Sequence, residues 1–151
     1  MDTEKILKLL NDYNVKYVII GATAFPVHGY IRSTLDIDIF IESNINNASN
    51  TLEALKKFGY DVTDISISEM LNKKILIRQY MVEVDIHPFV KGVTFDEVWQ
   101  DKVQSEYGNT KIYFASLKSL IKMKQAEKRP KDLEDLKYLN SIQKKEISKV
   151  G

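Results

Sequence analysis

Cysteine is missing from all 151 residues. Disulfides, thiolate nucleophiles and zinc–thiolate centres are therefore excluded. Histidine occurs only as His28 and His87, too few for a histidine-rich metal site. No apolar run approaches the roughly 18 residues that a membrane span needs. Met1-Asp2-Thr3-Glu4 does not begin a signal peptide, so a cytoplasmic protein with no membrane partner is expected. A surplus of charge is missing too. The 22 basic and 21 acidic residues leave +1, which argues against an overall electrostatic nucleic-acid binder and leaves only local patches open. What remains is an ordinary globular composition, 44% hydrophobic and 28% charged, in a chain of the size of one domain.

Hydrophobic spacing predicts an amphipathic helix over residues 3–13, with Ile6, Leu7, Leu9 and Leu10 to one side. Tyr17-Val18-Ile19-Ile20, ending at Gly21, reads as a buried strand. A short helix is expected over residues 22–29, closed by Gly29. Residues 35–42 alternate as a strand. Helical spacing returns over 46–58, where Gly59 closes it. Two further strands are expected over 74–80 and 81–87, with an indistinct boundary because no glycine-rich turn parts them. Residues 96–100 suit a helical turn, and Gly108-Asn109 suits a hairpin between 103–107 and 111–114. Two closing helices follow at 116–128 and 130–143, the first capped by Ser116 and the second with Pro130 in its first turn. Residues 144–151 are expected to fray. With no repeat and no linker, the order implies a single α+β domain over residues 1–151, a mixed sheet with helices mainly against one face.

The chemistry concentrates in Leu35-Asp36-Ile37-Asp38-Ile39-Phe40-Ile41-Glu42. Alternation along a strand points Asp36 and Asp38 one way and Ile37, Ile39 and Ile41 the other. Two carboxylates one pleat apart repel, and a hard divalent cation such as Mg2+ relieves that repulsion. The plain alternative is a half-exposed strand with an acidic face, although aspartate is disfavoured in strands. In Val82-Glu83-Val84-Asp85-Ile86-His87, Glu83, Asp85 and His87 share a face. Paired beside the first strand, this one adds a third carboxylate, enough for two ions roughly 3.5–4 Å apart. Spacing does not choose between Glu83 and Asp85. His87 reads as a strand-end residue before Pro88. Gly21 opens a run of small residues where helix-start N–H groups attract phosphate.

The stretch from Val18 to Ile41, VIIGATAFPVHGYIRSTLDIDIFI, resembles the polymerase-beta nucleotidyltransferase superfamily: a strand, a glycine, a short helix, then Asp-x-Asp on the next strand. His28-Gly29 through Arg32, Thr34, Asp36 and Asp38 is similar to a small bacterial subgroup related to abortive-infection and toxin–antitoxin nucleotidyltransferases. The resemblance extends through Leu120-Ile121-Lys122-Met123-Lys124 and Arg129-Pro130-Lys131-Asp132-Leu133 to about Leu139. It implies a metal site of Asp36, Asp38 and Asp85, matching Asp85 better than Glu83. Gly21, Ala22 and Thr23 are expected to meet phosphate. Arg32 is expected to clamp a phosphate, to orient a site carboxylate or to lie as a plain surface arginine, with Thr34 supporting the site. In the basic run over 116–131, which otherwise reads as a solvated helix face, Lys124, favoured by the resemblance, and Arg129 are candidate contacts to nucleotide. Asp132 and Asp135 are expected to steady the last helix near its positive end. Ala22 stands where the superfamily usually has Gly or Ser, so a serine contact to phosphate is lost.

The implied activity is transfer of a nucleoside monophosphate from an NTP, ATP among them, to a hydroxyl on a protein, a tRNA or a small molecule. Mg2+, with Mn2+ as the alternative, is the implied cofactor, and a cognate toxin or antitoxin is an implied partner. Two rivals use the same residues: a nucleotide- or partner-binding module with feeble catalysis, and a metal-dependent phosphohydrolase.

Overall fold

The computed structural model describes residues 2–21, 36–79 and 82–150, with the side chains of residue 2 and residues 146–150 excepted. Six strands form one mixed sheet: β1 (Tyr17–Ile20), β2 (Asp36–Ile41), β3 (Ile75–Ile77), β4 (Glu83–His87), β5 (Val103–Tyr107) and β6 (Thr110–Phe114), in the order β3-β4-β2-β1-β6-β5. β1 runs antiparallel to β2, while β2 lies parallel to β4. The helices are α1 (Asp2–Asp12), α2 (Ile45–Phe58), α3 (Ile67–Asn72), α4 (Phe95–Gln100), α5 (Leu117–Glu127) and α6 (Pro130–Val150).

Pleating divides the sheet chemically. Tyr17, Ile19, Ile37, Ile39, Ile41, Ile75, Ile77, Val84 and Ile86 are buried on one face. Helix α1 covers it, its Asn11 side chain accepting from the Tyr17 hydroxyl at 3.3 Å and donating to the Lys111 carbonyl at 2.6 Å. Ile6, Leu7 and Leu10 of α1 join Ala48, Ala54 and Leu55 of α2 in the same core. Complete burial of such a side chain stabilises by about 1.5–3 kcal/mol. The other face carries the acidic residues of β2 and β4. At its far end α4 lies over Phe40, with the Phe95 ring edge-on at 5.2 Å, and Trp99 stacks on Phe95 and meets Tyr113.

Helix α2 begins one residue before the expected position. Asn44 caps it by accepting the Asn47 N–H at 2.8 Å. Asn47 is itself buried and works across elements: its amide accepts the Lys16 N–H at 2.8 Å and donates to the carbonyls of Lys16 at 3.0 Å and Glu42 at 2.8 Å. One side chain thus satisfies three backbone groups where β1 begins and β2 ends, anchoring the strand pair that carries the acidic residues.

The hairpin forms around Gly108 and Asn109 as expected, with Tyr107 paired to Thr110. Helix α3 is not in the sequence reading; Ser66 and Glu69 build a reciprocal capping box at its start. The last helix runs to Val150 instead of fraying after residue 143. Between Lys144 and Val150 there is no glycine or proline, so a helix already nucleated has no reason to stop there.

Candidate active site

Strand β1 delivers Gly21 to the acidic face. Its last residue, Ile20, pairs with Asp38, and Gly21 turns out of the strand at φ +74°, in the left-handed region. A Cβ there would lie 2.5 Å from Asp38 Oδ2. Glycine is therefore demanded twice, by backbone angle and by a carboxylate packed against it.

Parallel pairing of β2 with β4 sets Asp38 beside Asp85 and Asp36 beside Glu83. Residues opposite each other share a face and lie about 4.8 Å apart across neighbouring strands. Four carboxylates are thereby gathered on one side of the sheet. Asp85 is buried, its side chain 7% exposed, while Asp36, Asp38 and Glu83 are half-buried.

Such crowding requires positive charge. Arg78, on the link from β3 to β4, supplies it: its guanidinium ion-pairs with Asp85 and lies 3.5 Å from Asp36 Oδ2 and 3.4 Å from Glu83 Oε2. The hydrogen bond to Asp85 is the main reason its pKa is held above the ordinary arginine value. Lys74 Nζ stands 4.0 Å from Asp85 Oδ2. Glu83 is pushed upward, first by its hydrogen bond with Asp36, then by partial desolvation and the charge of Asp36, with Arg78 opposing. Asp38 is served separately. His87 Nε2 bonds its Oδ1 at 2.9 Å, and because a carboxylate only accepts, Nε2 carries the proton.

Asp36, Asp38 and Asp85, which spacing and resemblance singled out, therefore share one face, and Gly21 adjoins Asp38. The sequence reading left Arg78 out. It set His87 on the face of Glu83 and Asp85 but read it as a strand-end residue; His87 does end β4, and its ring also bonds Asp38. Ala22, Thr23, Arg32 and Thr34, together with His28 and the helix expected over 22–29, lie outside the described residues.

Lys124 and Arg129 lie at the junction of α5 and α6. Lys124 Nζ lies 3.1 Å from Asp132 Oδ1 and 3.2 Å from Asp135 Oδ2, both aspartates being buried. Arg129 Nε donates to Asp132 Oδ2 at 2.6 Å. Burial works to raise the Asp132 carboxyl, but the hydrogen bonds from Arg129 and Lys124 outweigh it and hold it down to about 2. Lys124 of α5 thus pairs with two aspartates of α6, and Arg129, its side chain 55% exposed, pairs with one of them. Asp132 lies in the first turn of α6, the position that suits the positive end of the helix.

The face offers only hard oxygen donors, with His87 at its edge, which suits a small divalent ion. Among the described residues no three such groups converge on one ion position as they stand; Asp36, Glu83 and Asp85 converge on Arg78 instead. No helix among the described residues is long and apolar enough to cross a membrane.

The fold recurs in solved structures. The lincosamide antibiotic adenylyltransferase LnuA, solved with lincomycin bound, superposes with a TM-score of 0.61 over 93% of this chain and 96% of its own, at 19% identity. TM1012 of Thermotoga maritima, which carries the nucleotidyltransferase designation, superposes with a TM-score of 0.58 over 95% of this chain and 91% of its own, at 18% identity. At such identities the likeness is one of fold. No curated protein matches the chain in sequence. The match that reaches beyond fold covers residues 1–150, and by it the chain belongs to the nucleotidyltransferases of the family described as Nucleotidyltransferase of unknown function (DUF6036).

Proposed function

We propose that the chain moves a nucleoside monophosphate from an NTP to a hydroxyl of a small molecule, with Asp36, Asp38 and Asp85 holding one or two divalent ions, Mg2+ or Mn2+. The observation that carries this reading is the parallel register of β2 and β4, which sets Asp38 against Asp85 on the face that Gly21 closes. The small-molecule acceptor is the first choice because LnuA, similar in fold, is an antibiotic adenylyltransferase.

When bound, such ions offset the charge of the triphosphate and make the attacking hydroxyl more acidic. The chain's own part is positioning. Gly21, without a Cβ, leaves room for the Asp38 carboxylate against the end of β1. Asp38 is steadied by His87. Asp85 accepts the proton of the acceptor hydroxyl as its oxygen bonds to the α-phosphorus. The bond from that phosphorus to the bridging oxygen breaks, and pyrophosphate leaves with the electron pair.

The test is incubation of the protein with each α-labelled NTP, Mg2+ and a panel of aminoglycosides, lincosamides and cell-extract metabolites. Label should pass to one acceptor with release of pyrophosphate. The Asp38→Asn variant should transfer nothing. Labelled monophosphate without a labelled acceptor would overturn the reading in favour of hydrolysis. Full transfer by Asp38→Asn would overturn the site.

A further inference from the structure

We propose that Arg78 is the resident cation of the carboxylate site, an intramolecular competitor that a divalent ion must displace. This rests on the metal site proposed above. The placement of charge carries it. Asp36 and Asp85 belong to that metal site, and Arg78 spans both while reaching Glu83 as well. A divalent ion and a guanidinium make the same demand on a carboxylate oxygen, so they cannot both be met by Asp85 and Asp36 at full strength. Arg78 is also placed to leave. Its side chain is 42% exposed, at the rim of the face, on the link beyond the short strand β3. Asp85, by contrast, is held within the sheet between β2 and β3. The moving part is therefore the arginine, and the fixed part is the ligand set.

Two consequences follow. Without metal, Arg78 offsets the repulsion among Asp36, Glu83 and Asp85, so the ligands stay gathered. With metal, the loss of those ion pairs subtracts from the binding of the ion. Lys74, at 4.0 Å from Asp85 alone and more exposed, competes less.

The experiment is Mn2+ binding to the full chain without nucleotide, read by electron paramagnetic resonance, together with melting temperature at zero and saturating Mn2+. Arg78→Gln should bind Mn2+ about tenfold more tightly, as expected for losing several half-exposed ion pairs of opposite function. Its metal-free melting temperature should fall, and its gain in melting temperature on adding Mn2+ should exceed that of the wild type. Arg78→Lys keeps the charge but not the fork that spans several carboxylates, and should fall between; it serves if the glutamine variant does not fold. Unchanged or weaker Mn2+ affinity in these variants would overturn the proposal. Asp38→Asn, which Arg78 does not touch among the described contacts, separates the two failures. If the wild type shows no Mn2+ binding that this variant weakens, the metal site itself is mistaken.

Discussion

Replacing Gly21 with alanine tests the junction of β1 with the acidic face. Two separate penalties are expected. At φ +74° an L-residue costs about 1–2 kcal/mol over glycine. The added methyl would also stand 2.5 Å from Asp38 Oδ2 and 3.1 Å from Asp38 Cβ. Since β2 is paired on both sides, the backbone cannot retreat and the carboxylate must rotate. That rotation gives up the His87 hydrogen bond at 2.9 Å, worth about 1–2 kcal/mol for a charged acceptor. Together the loss is about 2–4 kcal/mol, or roughly 5–12 °C in melting temperature for a chain of this size. Strain alone does not identify the junction as part of the site, so Gly59→Ala is the control. Gly59 caps α2 at φ +116°, away from the carboxylates, and its substitution should lower the melting temperature without touching Mn2+ affinity. Gly21→Ala should lower both. Thermal melting and Mn2+ titration of the two variants decide the matter. A Gly21→Ala protein with wild-type Mn2+ affinity would refute the argument that Gly21 and Asp38 form one unit.

Asn47→Leu should cost about 2–4 kcal/mol in urea unfolding, because the part-buried Lys16 N–H and Glu42 carbonyl lose this partner, while the Lys16 carbonyl keeps the Glu42 N–H; a loss below about 1 kcal/mol would mean water replaces the amide freely. Asp132 is depressed to about 2, so it contributes stability above pH 4 that is lost as pH falls toward 2, about 2 kcal/mol in all. Melting scans between pH 5 and pH 2 should show that loss in the wild type and a flatter profile in Asp132→Asn. Ile39→Ala, at a fully buried position in the centre of the sheet, should cost about 2–5 kcal/mol, read from the urea midpoint.

Alternation and termination carried most of the fold into the sequence. Residues 35–42 could pleat only one way that buries Ile37, Ile39 and Ile41 together, and β2 does so. Gly59 and Gly108-Asn109 mark ends that any neighbouring chain would need. Helix α3 escaped because its six residues, Ile67–Asn72, hold less than two turns, too few to display a period. Its only local mark is Ser66 with Glu69, a capping box too short a signal to stand alone. The extent of α6 escaped for the opposite reason. Charged helices without breakers have no sequence feature at which to end.

The site was legible in part for the same physical reason. A period of two assigns each residue to a face, so Asp36, Asp38, Glu83 and Asp85 could be sorted before the strands were paired. It assigns no neighbour across strands. That Asp38 meets Asp85 depends on β2 and β4 being adjacent and parallel, a property of topology. His87 was missed for that reason: its own face was known, but its partner Asp38 lies 49 positions away. Arg78 is the more instructive case. In Ile75-Leu76-Ile77-Arg78 the alternation already sets Leu76 and Arg78 opposite to the buried Ile75 and Ile77, on the side of Asp85, with which Leu76 pairs. Four carboxylates on one face also demand a cation even before any metal arrives. As a ligand set the acidic face calls for a cation from outside, whereas Arg78, one residue past β3, already supplies one.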